Sequence, residues 1–343
     1  MVESAPAFLR VLRGEALAPP PMWFMRQAGR YLKEYRDIRA KQPSFIDFCL
    51  HPEDACEVTL QPIRRYDLDA AILFADILLI PYGLGQDVRF EKGEGPKLSP
   101  LLDDGLMRRL DPDRASKVLA PVMESVARIR EGLPADKALI GFAGAPWTVA
   151  TYMINGQGTK DPSTARMLAF EKPAQVKDLM GVLVESTAQY LISQAKAGAD
   201  ALKLFDSWAA GLSEDLFVDL CLNPNKEIAR RVREETDVPI IYFPKGSGAL
   251  YERVAREGGF DGLAMDTQMP MRWARETLSP HATLQGGLDP LLVVQGGKPM
   301  LRAAEHLLET FDGAPYIFNL GHGFVPETPP EHVAELVKFV RER

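Results

Sequence analysis

Three observations predict an α/β fold built as a single (β/α)8 TIM-type barrel. Eight short apolar runs recur along the chain, each is followed by a helical segment, and 343 residues is a common length for one such barrel. One barrel domain is expected across 1–343, with an extra N-terminal helical segment and loops on the ligand side. The sequence shows no linker, low-complexity tract or fixed-period repeat.

The elements follow from local chemistry. Residues 5–18 suit a short helix that stops at Pro19-Pro20-Pro21, and 22–25 then reads as the first buried strand. Helical segments are expected at 32–40, 44–49 and 52–66, the last with Pro52 near its start. The second strand is 70–74. Residues 83–105 are rich in glycine and polar groups and suit a long loop or small hairpin. An amphipathic helix over 112–130 precedes the third strand, 138–142, and helices follow at 148–155, 162–170 and 173–197. The punctuation then becomes regular, with strands at 201–205, 239–243, 261–264, 282–285 and 316–320. Between and after them lie helices at 213–235, 248–257, 270–277, 299–310 and 330–341.

Composition narrows the function. Hydrophobic content of 46% and charged content of 25% are ordinary for a globular protein. A formal net charge of −7 argues against nucleic acid or an anionic membrane as the main partner. Cys49, Cys56 and Cys221 have no metal-type pair spacing and cannot all pair with one another, which suits a reducing, cytoplasmic setting. The N-terminus lacks the apolar core of a secretory signal, and the most apolar run, 70–81, is interrupted by Asp76 and too short to span a bilayer.

Against this acidic background, residues 26–41 gather Arg26, Arg30, Lys33, Arg36, Arg39 and Lys41 against only Glu34 and Asp37. Arginine is suited to fixed recognition of carboxylate or phosphate, so the cluster points to a small polyanion, with a solvated helix face as the plain reading of its later part. In a barrel the chemistry gathers at the C-terminal ends of the strands. Those ends carry Arg26 and Arg30, Asp76, the turn Gly141–Trp147 with Tyr152 beyond it, Asp206-Ser207-Trp208, Pro244-Lys245-Gly246, Gly286–Asp289, and Asn319-Leu320-Gly321-His322-Gly323.

Asp76 is the most telling single residue, because an ionised carboxylate in an apolar run needs partners. It either caps the following turn or meets donors from a ligand. His322 lies between glycines, which suits close approach of backbone to ligand. Tyr152 alone reads equally well as core packing, and Ser207 as a helix cap. Lys245 suits a turn better than a Schiff base. The chain has no Gly-x-Ser-x-Gly elbow, phosphate-binding P-loop, dinucleotide-binding glycine motif or His-x-Cys zinc pairing.

These residues together resemble the uroporphyrinogen decarboxylase family. Met25-Arg26-Gln27-Ala28-Gly29-Arg30-Tyr31 matches one long signature of that family. Gly141-Phe142-Ala143-Gly144-Ala145-Pro146-Trp147-Thr148, with Tyr152-Met153, matches a second. Phe205-Asp206-Ser207, Phe243-Pro244-Lys245-Gly246 and Asn319–Gly323 follow in the expected order. The resemblance implies a homodimeric (β/α)8 barrel without metal or organic cofactor. It also implies removal of the four acetate carboxyls of uroporphyrinogen III as carbon dioxide, giving coproporphyrinogen III. By position it assigns substrate binding to Arg26, Gln27, Ala28, Gly29 and Arg30, and the central catalytic carboxylate to Asp76. Tyr152, Ser207 and His322 complete the implied pocket, with Arg39 as a further substrate contact. The proton donor stays open between a substrate carboxylic acid and water. A zinc/corrinoid-dependent methyltransferase on the same barrel and a non-catalytic tetrapyrrole-binding protein are the competing readings. The region around Trp273 reads equally as interface or core.

Overall fold

The structure, a computed structural model, describes residues 5–91, 94–99, 101, 106–158 and 162–343. The first four residues of the leader reading and part of the 83–105 loop lie outside the described residues. The strands are β1 (Ala70–Ile72), β2 (Val88–Glu91), β3 (Gly95–Leu98), β4 (Ala138–Gly144), β5 (Ala201–Asp206), β6 (Ile240–Pro244), β7 (Gly262–Met265), β8 (Thr283–Gly286) and β9 (Tyr316–Ile317). Seven of them form one parallel sheet in the order β1-β4-β5-β6-β7-β8-β9, while β2 and β3 pair as an antiparallel hairpin within the expected loop region.

The sheet closes through the segment 21–24. Phe318 N donates to Pro21 O at 2.9 Å and Trp23 N to Phe318 O at 3.4 Å, and Met22 bridges Phe318 in parallel. On the other side Asp69 N donates to Met22 O at 2.9 Å, and Met22 N donates to the Asp69 side chain at 2.7 Å. The expected strand at 22–25 is therefore a single bridge, with a physical reason: prolines 19–21 supply no N–H, and a carboxylate replaces a backbone acceptor at the seam. Arg341 holds the same Asp69 carboxylate at 2.8 Å, tying the final helix, Pro330–Arg341, to the seam. Around the barrel, then, segment 21–24 takes the first position, β1 the second, and β4 to β9 the remaining six.

The interior is filled by inward side chains of alternate strand positions. Phe205 meets Phe142 and Phe243 edge to face at 5.4 and 6.2 Å, and Trp23 Nε1 donates to Gln285 Oε1 at 2.9 Å. Lys203, only 2% exposed, lies 4.8, 4.9 and 5.4 Å from the rings of Trp23, Phe205 and Phe243. Burial lowers its pKa to about 7.

Several expected elements differ in detail. The N-terminal helix ends at Leu12, well before the prolines. The expected helix 112–130 is two helices, Pro112–Val118 and Ala120–Gly132, because Pro121 starts a new first turn. Helix 213–235 contains a π-turn at Val218–Leu222. Short helices at Leu79–Leu84 and Pro290–Gln295 were not expected. The region around Trp273 is largely core, with Met265 and Met269 buried.

The seam generates a prediction. Asp69→Ala leaves the buried Met22 N–H without its acceptor and should cost about 1–3 kcal/mol. Urea unfolding checks it, and unchanged stability would contradict the seam as described.

Candidate active site

The loop after segment 21–24 turns sharply, and its own contacts hold the turn. Arg26 has φ +63°, a left-handed conformation that costs a side-chain-bearing residue about 1–2 kcal/mol. Gln27 pins it: its Oε1 accepts from Phe24 N at 3.0 Å, its Nε2 donates to Ala70 O at 3.1 Å, and its carbonyl accepts from Tyr31 Oη at 3.0 Å. The Gln27 side chain is thus buried and engaged, serving to hold the loop against β1. A Cβ at Gly29 would fall 2.8 Å from the Arg26 carbonyl, so the turn requires glycine there. Ala28 is partly buried against the core. The later basic residues serve the helix Lys33–Arg39. Lys33 pairs with Asp37, Arg36 donates to the carbonyls of Arg30 and Tyr31, and Arg39 donates to Gln42 O at 3.2 Å while covering the Phe45 ring. Among the described residues, Arg26 and Arg30 have no ion pair.

Asp76 leaves the end of β1. Its Oδ1 accepts from Leu78 N at 2.8 Å and its carbonyl from Leu79 N at 3.2 Å, so it closes the turn that leads into the helix Leu79–Leu84, whose own N-cap is Leu78. Among the described residues nothing donates to its second oxygen. The carboxyl is partly open to solvent yet surrounded by protein. Burial raises its pKa to about 6, while the Leu78 N–H and the Arg26 charge oppose that rise. Gly144 positions this segment: a Cβ there would meet Ile77 at 2.8 Å and Val149 at 2.7 Å, so Ile77 packs directly on the entry to helix Pro146–Asn155.

The other strand ends converge on the same mouth. Arg26 reaches solvent while protein crowds its guanidinium. That desolvation lowers its pKa, Asp76 opposes the shift, and Arg30 adds to it. Tyr152 stands edge-on to Trp208 at 5.7 Å. Burial raises its pKa, the Trp208 N–H and Arg26 oppose the rise, and Asp76 adds to it. The Trp208 N–H is itself buried short of a directed hydrogen bond. His322 is held neutral, its pKa lowered to about 3 by burial and then by the charges of Arg26, Lys245 and Lys203.

The glycines beside His322 have a packing role that the sequence reading did not include. A Cβ at Gly323 would lie 2.5 Å from Arg26 Cδ, and one at Gly321 would lie 2.4 Å from Thr267 N. They make room for the arginine stem and the loop after β7.

A buried polar network places Ser207, and sequence reading did not anticipate it. Asp206 accepts from Thr148 Oγ1 at 2.5 Å, Tyr242 Oη at 2.8 Å and Asn225 Nδ2 at 3.5 Å. Trp208 N donates to Thr148 Oγ1 at 3.1 Å. Burial raises the Asp206 pKa against these donors. The network locks the end of β5 to helix Pro146–Asn155, so Ser207 and Trp208 stand at a fixed height. Beside them a cavity of about 440 Å³ opens, lined by Ser207, Trp208, Arg166, Lys245 and Asp266 among others. Lys203 went unremarked in the sequence, although it carries the same signal as Asp76, a charge interrupting an apolar run. Arg166 lies in an ordinary amphipathic helix and gives no such signal. Among the described residues, no group of three or more His, Cys, Asp or Glu side chains is placed to hold a metal ion. No helix among them is long and apolar enough to cross a membrane.

Comparison with known proteins agrees with this geometry. The family model described as Uroporphyrinogen decarboxylase (URO-D) matches residues 3–343. The uroporphyrinogen decarboxylase of Rhodospirillum rubrum is 50% identical over 335 residues, covering 97% of this chain and 96% of its own. That of Caulobacter vibrioides is 50% identical over 341 residues, covering 99% and 96%. Among solved structures, a methyltransferase from Methanosarcina mazei superposes with a TM-score of 0.76 at 18% identity, covering 98% of this chain and 97% of its own. A putative vitamin-B12 independent methionine synthase from Listeria monocytogenes gives a TM-score of 0.55 at 11% identity, covering 98% of each chain. At such identities these two bear on the barrel fold alone. With half its residues shared over nearly the full length of both relatives, the chain belongs to the uroporphyrinogen decarboxylase family.

Proposed function

We propose that the chain, as one catalytic domain, converts uroporphyrinogen III to coproporphyrinogen III by removing its four acetate carboxyls, with Asp76 at the centre of the reaction. The observation that carries this reading is the Asp76 carboxylate, anchored through one oxygen and open through the other, below a mouth lined by Arg26 and Arg30. Protonation of the pyrrole carbon beside the acetate-bearing carbon creates an iminium. The electron pair of the C–CO2 bond then flows into that iminium and carbon dioxide departs. A proton on the resulting methylene makes the methyl group, and the ring carbon gives its added proton back. The substrate is its own electron sink, so this sequence calls on no cofactor.

Asp76 accepts hydrogen bonds from the pyrrole N–H groups, and these strengthen as positive charge develops in the ring. Arg26 and Arg30 hold peripheral carboxylates and orient the macrocycle. Neutral His322, the Tyr152 hydroxyl and the Ser207 hydroxyl complete the polar lining, and Arg39 adds positive potential from behind Phe45. The family match favours this reading over a zinc/corrinoid methyltransferase and over a non-catalytic tetrapyrrole carrier. We propose a cytoplasmic location and a homodimer. Support for the dimer comes from Met167 and Phe170, 52% and 59% exposed and one turn apart on the helix Ser163–Glu171.

Asp76→Asn keeps an acceptor for Leu78 N–H, so it should fold, bind substrate within a few-fold of wild type and lose on the order of 100-fold or more in turnover. Carbon dioxide release measured anaerobically checks this, and unchanged release would sink the mechanism. The same variant tests the electrostatics. The Asp76 pKa is raised from 3.8 to about 6, so between those values the folded protein binds more protons than the unfolded chain and stability falls as pH rises. Above pH 6 the ionised carboxylate costs on the order of 1–2 kcal/mol. Asp76→Asn should therefore be the more stable protein by that margin at pH 7.5, with the gap closing near pH 3.5. Equal urea midpoints at pH 7.5 would contradict the raised pKa. For the dimer, Met167→Glu/Phe170→Glu should sediment as a monomer where the wild type sediments as a dimer. A dimeric double variant would remove this face from the interface.

A further inference from the structure

We propose that Arg166 and Lys245 form a second carboxylate clamp, on the barrel wall opposite Arg26, that holds acidic side chains on the far rim of the bound macrocycle. This rests on the decarboxylase reading above and adds two binding residues to it. Arg26 follows the first of the eight barrel positions, and Lys245 follows β6, the fifth, so the two stand across the mouth from each other.

Both residues line the cavity of about 440 Å³ beside Ser207 and Trp208, a volume suited to a small-molecule subsite. Arg166 projects from the helix Ser163–Glu171 toward the loop after β5, where a Cβ on Gly211 would lie 3.9 Å from its Nη1. Its Nε is buried without an acceptor. Among the described residues neither the Arg166 nor the Lys245 side chain has an ion pair or hydrogen bond, whereas arginines on the outer helices, such as Arg230, Arg231 and Arg253, are paired with glutamates.

The carboxylate in the cavity wall is already committed. Asp266 accepts from Gly246 N at 2.6 Å through Oδ2 and from Gln268 N at 2.9 Å through Oδ1, which fixes the loops after β6 and β7. Two unpaired cations thus face a cavity whose one acidic group is spent on backbone donors. A buried, unpartnered guanidinium N–H is costly unless an anion arrives to accept from it.

The cavity is continuous in chemistry with the Asp76 site. Trp208, in its wall, meets the ring of Tyr152, which senses both Asp76 and Arg26, and Lys245 acts on His322 from the other side. A macrocycle with carboxylates around its whole rim cannot be satisfied from the Arg26 wall alone. Arginine supplies a planar fork and lysine a point charge, the pairing expected for carboxylates rather than for a neutral ligand.

The test uses the full-length protein and two readouts. Affinity for uroporphyrin III, the oxidised octacarboxylate, is measured by quenching of its fluorescence, and kcat and KM for uroporphyrinogen III are measured anaerobically. Arg166→Ala and Lys245→Ala should each weaken porphyrin binding about tenfold, and the double variant about 100-fold. KM should rise accordingly with kcat largely kept, the dependence of KM on salt should flatten, and Arg166→Lys should recover part of the loss. Wild-type affinity, KM and salt dependence in a folded double variant would overturn the clamp. A wild type that binds the porphyrin yet releases no carbon dioxide would instead sink the decarboxylase reading, while lost affinity in the double variant would still uphold the clamp.

Discussion

The site depends on one carboxylate kept charged where charge is costly. Asp76 is surrounded by protein at the floor of the mouth, and burial alone would neutralise it well into the physiological range. The Leu78 N–H and the Arg26 guanidinium pull the other way, and the balance leaves the group ionised above about pH 6 with one oxygen unclaimed. A carboxylate in that state has much to gain from a ring acquiring positive charge. The strained backbone at Arg26 places the guanidinium that takes part in this balance. Its left-handed φ, the Gln27 hydrogen bonds and the room left by Gly323 bring the guanidinium in over the barrel mouth rather than out along the helix.

Positive potential around the mouth is layered. Arg26 and Arg30 stand at the entrance, Lys245 and Arg166 across from them, and Lys203 lies beneath, among Trp23, Phe205 and Phe243. In its protonated form Lys203 gains cation–π attraction worth up to about 2 kcal/mol from a well-placed, desolvated ring, against the burial that lowers its pKa to about 7. It also helps hold His322 neutral, as do Arg26 and Lys245. A protein of formal net charge −7 thus gathers cations at one mouth, which under the proposed function would steer an acidic substrate there without making the whole surface basic.

Much of this was legible in the sequence, for physical reasons. The strand–helix alternation survives as a barrel because buried parallel strands must be apolar on both faces and their helices must be amphipathic. Arg26 and Asp76 stood out because charge beside or inside an apolar run demands a partner. What escaped was chemistry that depends on contact between distant segments. The seam is closed by the Asp69 side chain because the prolines before Met22 cannot donate, and no local pattern announces that substitution. The Thr148–Asp206–Tyr242–Asn225 network joins residues far apart in the chain. The space beside the glycines flanking His322 is taken by the stem of Arg26 and the loop after β7, a packing role that no local pattern shows. The helix Leu79–Leu84 was hidden by its own Pro81 and Gly83, which read locally as breakers.

The most direct measurement of the central claim is the pH dependence of kcat/KM for carbon dioxide release from uroporphyrinogen III, which reports ionisations of the free protein and free substrate. If an ionised Asp76 is required, kcat/KM is level above neutrality and falls tenfold per pH unit on the acid side of an apparent pKa near 6. A profile that stays level from pH 7.5 down to 5 would show that the reaction does not need the Asp76 charge, and would contradict this account of the site.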